Sequence, residues 1–199
     1  MLTVVVFHDV RDFDTWKPVF DEHEAVRRGH GEVEHRVYQD IHNRNRVIVH
    51  NDFPNEQAAR SLMADRSLPA AMERAGVEGE PWVGLIEHTE RKRYADGPVA
   101  VTLVVHHRVR DYATWKPVFD EHEAVRRSHG EIEHRIYHAF GDPQSVVVHN
   151  DFPSQEAAQA FGNDPTLPDA MQRGGVEGKP GISFINCTER KVYVGSVVI

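Results

Sequence analysis

The stretch T-W-K-P-V-F-D-E-H-E-A-V-R-R occurs twice in this chain, from Thr15 to Arg28 and again from Thr114 to Arg127. The spacing between the copies holds without a gap over most of the sequence, and 54 of 92 positions are identical between residues 3–94 and 102–193. A repeat of this length predicts two copies of one structural unit. We place the units at residues 1–96 and 99–199, and the turn-forming Asp96-Gly97-Pro98 lies between them.

Composition restricts the classes of partner. The 199 residues carry a formal net charge of −8, which lacks the basic character of a nucleic-acid-binding protein. A single cysteine, Cys187, excludes an internal disulfide and suits a reducing compartment. The first residues show neither a basic segment nor a long apolar run, so we expect no signal peptide and no membrane span. The expectation is a soluble, cytoplasmic protein.

Each copy shows the same order of strand-like and helix-like segments. Strands are predicted where β-branched residues run together or alternate with polar ones, and helices where apolar residues recur every three or four positions. In the first copy the predicted strands are Leu2–His8, Glu32–Asp40, Arg46–Phe53 and Pro81–Lys92. The predicted helices are one capped by Thr15 with Pro18 in its first turn, one starting at Pro54, and a shorter helical piece around Leu68–Arg74. The order β-α-β-β-α-β is that of a ferredoxin-like unit. We therefore predict an α+β protein whose two units pack sheet to sheet.

Four segments carry a resemblance to a known superfamily. They are the helix Trp16–Arg28, H-G-E-V-E-H-R-V-Y-Q-D at residues 30–40, V-I-V-H-N-D-F-P-N-E-Q-A-A at 47–59, and D-R-S-L-P-A-A-M at 65–72. The unit resembles the dimeric α/β-barrel superfamily, near the antibiotic-biosynthesis monooxygenases and related polyketide cyclases. The resemblance implies a barrel that relatives build from two chains and that this chain would build alone, as an intrachain pseudo-dimer. A further homodimer stays open.

Histidine is unusually frequent, with 14 residues, and five of the first copy recur in the second. A hairpin turn centred between His42 and Asn43 would place His35 opposite His50 on one face of the sheet. His23 lies on the apolar stripe of the first helix, which must cover one sheet face. The same reasoning applies in the second copy to His122, His134 and His149. The sequence thus predicts that three imidazoles meet in each unit.

Three readings of this set of histidines follow from its chemistry. Three neutral imidazoles with an open position are typical of a catalytic metal centre, and zinc, copper, iron or nickel would fit. They could instead act as acid–base or substrate-binding groups in a metal-free pocket, or simply pack as core residues. We take His23, His35, His50, His122, His134 and His149 as the candidate catalytic and metal-binding residues. His8 and His107, which end the first strand of each copy, would line the pocket mouth or be solvated.

The functional expectation combines the residues with the resemblance. No nucleotide-binding glycine loop, serine-hydrolase motif or paired-cysteine motif is present. The resemblance implies an enzyme of oxygenase, cyclase or isomerase type acting on a small molecule, of the kind found in secondary metabolism, with one pocket per unit. The alternative is a non-catalytic protein that binds a metal or a ligand. Neither nucleic acid nor membrane is expected as a partner.

Overall fold

The computed structural model describes residues 1–193, so the last six residues of the predicted second unit lie outside the described part. Both copies repeat the same order of strands and helices, in which the first predicted helix is divided into two. The first copy contains β1 Leu2–Val10, α1 Phe13–Glu22, α2 Glu24–Gly29, β2 Glu34–Asp40, β3 Arg46–Phe53, α3 Glu56–Met63, α4 Leu68–Arg74 and β4 Val77–Arg93. The second contains β5 Val101–Val109, α5 Tyr112–Glu121, α6 Glu123–Ser128, β6 Glu133–Ala139, β7 Asp142–Phe152, α7 Gln155–Gly162, α8 Leu167–Arg173 and β8 Val176–Val192.

The two compact units do not coincide with the two sequence copies. Unit 1 comprises Met1–Glu87 together with the chain from Cys187 onward, and unit 2 comprises His88–Asn186. The predicted bounds of 1–96 and 99–199 therefore differ from the compact units. The cause is the length of β4 and β8, 17 residues each, because each strand begins in one unit and ends in the other.

Each unit has a ferredoxin-like antiparallel sheet, which confirms the α+β class. In unit 1 the hydrogen-bonded order is β4–β1–β3–β2–β8, where β8 contributes only its last residues. The order in unit 2 is β8–β5–β7–β6–β4, with the last residues of β4 at the corresponding edge. Packing of the two sheets against each other stays a prediction.

The helices lie on one face of each sheet, where aromatic and β-branched residues meet. In unit 1 the indole of Trp16 packs with Val10, Val37 and Val49 and stacks on Phe20 with ring centroids 4.9 Å apart. The second unit repeats this arrangement around Trp115 and Phe119. Burial of these side chains is the main favourable contribution to folding.

The first helix starts earlier than predicted. Its N-cap is Asp12, whose carboxylate accepts hydrogen bonds from the Thr15 backbone N–H at 3.0 Å and the Thr15 hydroxyl at 2.9 Å. The prediction of Thr15 as the cap was wrong. The helix begins at Phe13, so Thr15 lies inside its first turn, and the Asp12 side chain accepts the hydrogen bond from a first-turn N–H that has no partner within the helix. Pro18 consequently lies inside α1. The helix then breaks at His23, which separates α1 from α2.

The β2–β3 hairpin has a different register from the predicted one. The strands pair His35 with Asn51 and Arg36 with His50, so the turn is centred on Asn43. The carboxylate of Asp40 accepts hydrogen bonds from two backbone N–H groups within the turn, and an odd number of residues closes it. A shift of one residue moves a side chain to the opposite sheet face. The predicted pairing of His35 with His50 was therefore wrong.

Within residues 1–193 no helix is long and apolar enough to cross a membrane.

Glu189 near the end of β8 and Tyr193, the residue after β8, bind His35 in unit 1. The His35 Nε2–H donates to Glu189 at 2.7 Å, and Nδ1 accepts from the Tyr193 hydroxyl at 3.0 Å. Burial raises the pKa of Tyr193, so its hydroxyl stays protonated and donates. Unit 2 repeats this arrangement, where Glu90 near the end of β4 and Tyr94, the residue after β4, bind His134.

Replacing Tyr193 with phenylalanine should destabilise the protein by about 1–3 kcal/mol, because the buried Nδ1 of His35 then lacks a donor. Tyr94→Phe provides the matched change at His134 and should cost a similar amount. Chemical denaturation would measure both. Two variants with wild-type stability would show that these hydrogen bonds do not anchor the strand ends.

Candidate functional site

The predicted histidine clusters do not form. Because of the observed register, His35 and His50 lie on opposite faces of the sheet. His35 packs beneath Phe20 on the helix side, whereas His50 contacts the ring of Tyr38 on the other side, and the centroid separation is 5.2 Å in both pairs. In unit 2, His134 and His149 are separated in the same way, against Phe119 and Tyr137.

The expectation of a metal centre at these histidines is therefore not supported by the geometry. Three imidazoles cannot ligate one ion when one of them lies across the sheet. Across residues 1–193, no group of three or more histidine, cysteine, aspartate or glutamate side chains is arranged to hold a metal ion. Of the six predicted residues, His23 and His122 line the two cavities described below.

Unit 1 contains a cavity of about 580 Å³ between its sheet and its helices. Such a volume is within the range of small-molecule sites. Trp16 and Phe20 of α1 form one wall, and Val6 and Val49 of the sheet form the opposite wall. The remaining lining comes mainly from the two helices α3 and α4 and the connection between them. The surroundings are thus aromatic and aliphatic, which favours an apolar ligand with flat rings.

His8 brings an unpaired imidazole to this apolar wall. Its side chain is only 6% exposed, and its ring lies 5.7 Å from that of Trp16. Neither ring nitrogen has a hydrogen-bond partner among residues 1–193. Burial lowers the His8 pKa from 6.5 to about 4, although nearby Asp9 opposes this shift. The ring is neutral near pH 7 and can donate from one nitrogen and accept at the other.

Asn51 and Arg27 provide two more polar groups on the cavity wall. Asn51 is buried, and its Oδ1 has no hydrogen-bond partner in the described part of the chain. Arg27 is paired with buried Glu32 and lies over the Phe20 ring, 3.7 Å from its centroid. A second nitrogen of Arg27, Nη2, is buried without an acceptor in residues 1–193. Unsatisfied buried polar groups are costly, so a ligand that reached these atoms would gain their hydrogen bonds.

The polar groups lie at separate places along the cavity. On the β1–β3 ladder Asn51 is opposite Val4, four residues from His8. At about 3.3 Å per residue, His8 and Asn51 are roughly 13 Å apart along the sheet. An elongated ligand with polar groups at both ends would match this spacing.

A chain of hydrogen bonds lies beside the cavity, which His23 and Asp65 line. The His23 Nε2–H donates to the Ser67 hydroxyl at 2.8 Å, and Ser67 donates to Asp65 at 2.5 Å. The second oxygen of Asp65 accepts from His30 at 2.7 Å. The hydrogen bonds from Ser67 and His30 hold the Asp65 pKa well below its usual range, and burial together with Arg27 lowers that of His23. This chain of bonds ties the α3–α4 connection to the first helices.

The equivalent cavity of unit 2 has only about 70 Å³. It keeps the polar groups, since His107 and Asn150 line it and His107 likewise has two ring nitrogens without partners in residues 1–193. Burial again lowers the His107 pKa to about 4. The difference is in volume, because the bulkier Leu103 and Phe161 occupy the places of Val4 and Leu62.

Comparison with known proteins shows the fold. No protein-family model matches the chain, and no curated protein matches it. Solved structures do match. An anthrone oxidase-like protein aligns with a TM-score of 0.70 and 13% identity over 96% of this chain and 92% of its own. A ferredoxin-fold protein from Listeria monocytogenes related to antibiotic biosynthesis monooxygenases aligns with a TM-score of 0.51 and 9% identity, covering 95% of both chains.

A heme-degrading enzyme from Listeria monocytogenes aligns with a TM-score of 0.50 and 6% identity, over 94% of this chain and 99% of its own. These likenesses confirm the predicted resemblance to the antibiotic-biosynthesis monooxygenase fold. Each match covers nearly the whole chain, so the fold is shared across both repeated copies. At such identities the comparison establishes architecture, and function must be inferred from the residues of the site.

The sequence did contain a signal for His8. Alternate residues of a strand point to the same face, so the side chains of Val4, Val6 and His8 all lie on the face of β1 that the helices cover. The strand was predicted to end at this histidine, whereas it continues to Val10. Asn51 gave no comparable signal, because its position on the cavity wall depends on the hairpin register.

Acid should destabilise the protein through His8 and His107. Both have a pKa of about 4 when folded and near 6.5 when unfolded. The unfolded chain therefore binds more protons between these values, so stability is complete above pH 6.5 and falls as the pH decreases toward 4. The loss approaches about 3 kcal/mol for each histidine.

Urea denaturation at several pH values between 4.5 and 7 would measure this dependence. His8→Phe and His107→Phe should each reduce the slope by about 1.4 kcal/mol per pH unit in this window. Slopes equal to that of the wild type would contradict burial of neutral imidazoles.

Proposed function

We propose that unit 1 is an oxygenase site for a small fused-ring aromatic molecule with an acidic methylene group, of the anthrone type. The observation that carries the proposal is the neutral, unpaired imidazole of His8 on the wall of an apolar cavity of about 580 Å³. The similarity in fold to an anthrone oxidase-like protein supports this choice of substrate class.

The reaction would begin with proton transfer to His8. In anthrone the methylene lies between two aromatic rings, and the negative charge left by its proton is delocalised onto the ring carbonyl oxygen. An imidazole with a pKa of about 4 is a weak base, but an adjacent anion in a water-poor cavity raises the pKa of the protonated ring. Arg27 of α2 and Asn51 of β3 also line the cavity and could bind oxygen substituents of the rings that lie away from the methylene.

Oxygen would then accept the electrons of the carbanion. Its attack on the former methylene carbon forms a C–O bond and, with the proton held by His8, a hydroperoxide. Removal of the second C–H proton breaks the O–O bond and releases water, leaving a carbonyl. The sum is CH2 + O2 → C=O + H2O, in which carbon loses four electrons and dioxygen gains four. The chain's residues supply proton transfer, orientation and exclusion of water.

A second candidate is a protein that binds such a molecule without transforming it. The low pKa of His8 favours this candidate, because a weakly basic imidazole serves well as a neutral hydrogen-bonding group. Cyclase or isomerase chemistry would also use the proton-transfer step but would consume no dioxygen.

Anthrone oxidation would test the proposal. In air-saturated buffer the purified protein should consume one molecule of O2 for each anthraquinone formed, above the rate of spontaneous oxidation. His8→Phe keeps an aromatic ring of similar size but cannot accept a proton, so it should lower kcat by roughly 10²–10⁴-fold. An oxygen electrode and the anthraquinone absorbance would follow the reaction.

His107→Phe is the matched control, since His107 borders the small cavity of unit 2, and it should keep the wild-type rate. Binding of anthraquinone without any oxygen uptake would favour the non-catalytic candidate. Equal rates in wild type and His8→Phe would exclude His8 as the proton acceptor.

A further inference from the structure

We infer that the chain has one working small-molecule site, in unit 1, and that four positions decide which unit is open. The identity of the ligand rests on the proposed function, whereas the difference between the cavities does not. The deciding residues are Val4, Leu62, Met63 and Leu85 in unit 1, which we call the open set, and their counterparts Leu103, Phe161, Gly162 and Phe184 in unit 2, the closing set.

The open set leaves space at the end of the cavity near Asn51. Val4 and Leu62 are buried in one apolar cluster, and Leu85 packs against it. Val4 lies directly opposite both Asn51 and Leu85 on the neighbouring strands. Side-chain size at these positions therefore determines whether a ligand reaches Asn51.

The closing set fills the same space with larger groups. Leu103 adds a methylene relative to Val4, and Phe161 adds a ring relative to Leu62. The Phe161 ring packs on that of Phe152 with centroids 5.6 Å apart and borders the remaining cavity. The cavity consequently ends before it can hold more than a few atoms.

Gly162 and Phe184 form a complementary pair within this set. A Cβ atom at Gly162 would lie 3.2 Å from Cζ of Phe184 and 3.9 Å from Cδ2 of Leu103. The glycine thus makes room for the phenylalanine ring, whereas unit 1 has Met63 with the smaller Leu85. The two copies thus differ in a complementary way at two separate elements, α7 and β8. The close fit of Phe184 over Gly162 indicates that unit 2 is tightly packed here.

Unit 2 nevertheless keeps the polar groups of the open site. His107 and Asn150 remain buried on the wall, and neither His107 ring nitrogens nor Asn150 Oδ1 find hydrogen-bond partners in residues 1–193. The Asn150 Nδ2–H donates to the Leu103 carbonyl oxygen at 3.3 Å, and the His107 ring packs against Trp115. Leaving the other polar atoms of these two side chains unsatisfied in a closed cavity is unfavourable. We therefore expect that the small volume of its cavity, and not a lack of polar groups, prevents unit 2 from binding a ligand.

Exchange of the two sets provides the test. Variant C carries V4L, L62F, M63G and L85F and should close unit 1, and variant O carries L103V, F161L, G162M and F184L and should open unit 2. Every replacement is a residue that the chain already uses at the equivalent position of the same fold. Variant CO combines both sets, and thermal unfolding would verify that each variant is folded.

Xenon binding in crystals gives a readout that does not depend on the proposed function, because xenon enters apolar cavities of sufficient size. We expect xenon in unit 1 of the wild type, in both units of variant O, in neither unit of variant C and only in unit 2 of variant CO. Equal occupancy of both units in the wild type, or no change on exchange, overturns the inference. Variant C alone decides the outcome if variant O does not fold.

Equilibrium dialysis with 1,8-dihydroxyanthraquinone as the probe then tests the ligand. We expect one bound molecule per wild-type chain, two for variant O and none for variant C. In variant CO, His107→Phe rather than His8→Phe should lower anthrone oxidation. Xenon results as expected with no probe binding would reject the proposed substrate class and leave the assignment of the open unit intact.

Discussion

The register of the β2–β3 hairpin determines what the site of unit 1 can do. Because side chains alternate across a sheet, pairing His35 with Asn51 places the asparagine on the helix side and His50 on the far side. The opposite register would have directed His50 to the helices and removed Asn51 from the cavity. A change of one residue in the length of the turn would thus exchange an apolar cavity with isolated polar groups for an arrangement that brings His35 and His50 to the same sheet face. The turn at Asn43, held by hydrogen bonds to Asp40, selects the apolar cavity.

This arrangement explains why buried histidines with similar surroundings have different roles. His35 is satisfied on both ring nitrogens by Glu189 and Tyr193, so it contributes to the structure and offers nothing to a ligand. His8 is almost equally buried but has no partner for either nitrogen in residues 1–193. A buried imidazole in this state stays neutral and available for a hydrogen bond. The number of hydrogen-bond partners of its ring nitrogens therefore distinguishes a structural histidine from a candidate functional one. Neither the burial of the side chain nor the high histidine content of the chain does so.

Much of the fold followed from the sequence, because local patterns determine local structure. The strand Arg46–Phe53 and the helix Leu68–Arg74 were predicted with the observed bounds, since turn residues and glycines delimit both apolar runs. The N-cap of the first helix was predicted as Thr15 and is Asp12, because both residue types cap helices well and the residue type alone does not distinguish them. The hairpin register was missed for a related reason: the sequence does not show whether a turn is centred on a residue or between two.

Fusion of two copies in one chain permits a difference that a symmetric homodimer cannot have. In a homodimer each substitution occurs in both subunits, so closing one cavity closes the other. Here Leu62 and Phe161 are encoded separately, and one copy could acquire bulk while the other kept its space. Larger side chains in unit 2 add apolar contacts there without reducing the cavity of unit 1. Unit 1 can then retain a buried histidine without hydrogen-bond partners, although this group reduces stability. The repeated sequence therefore supports a division between one densely packed unit and one unit with space for a ligand.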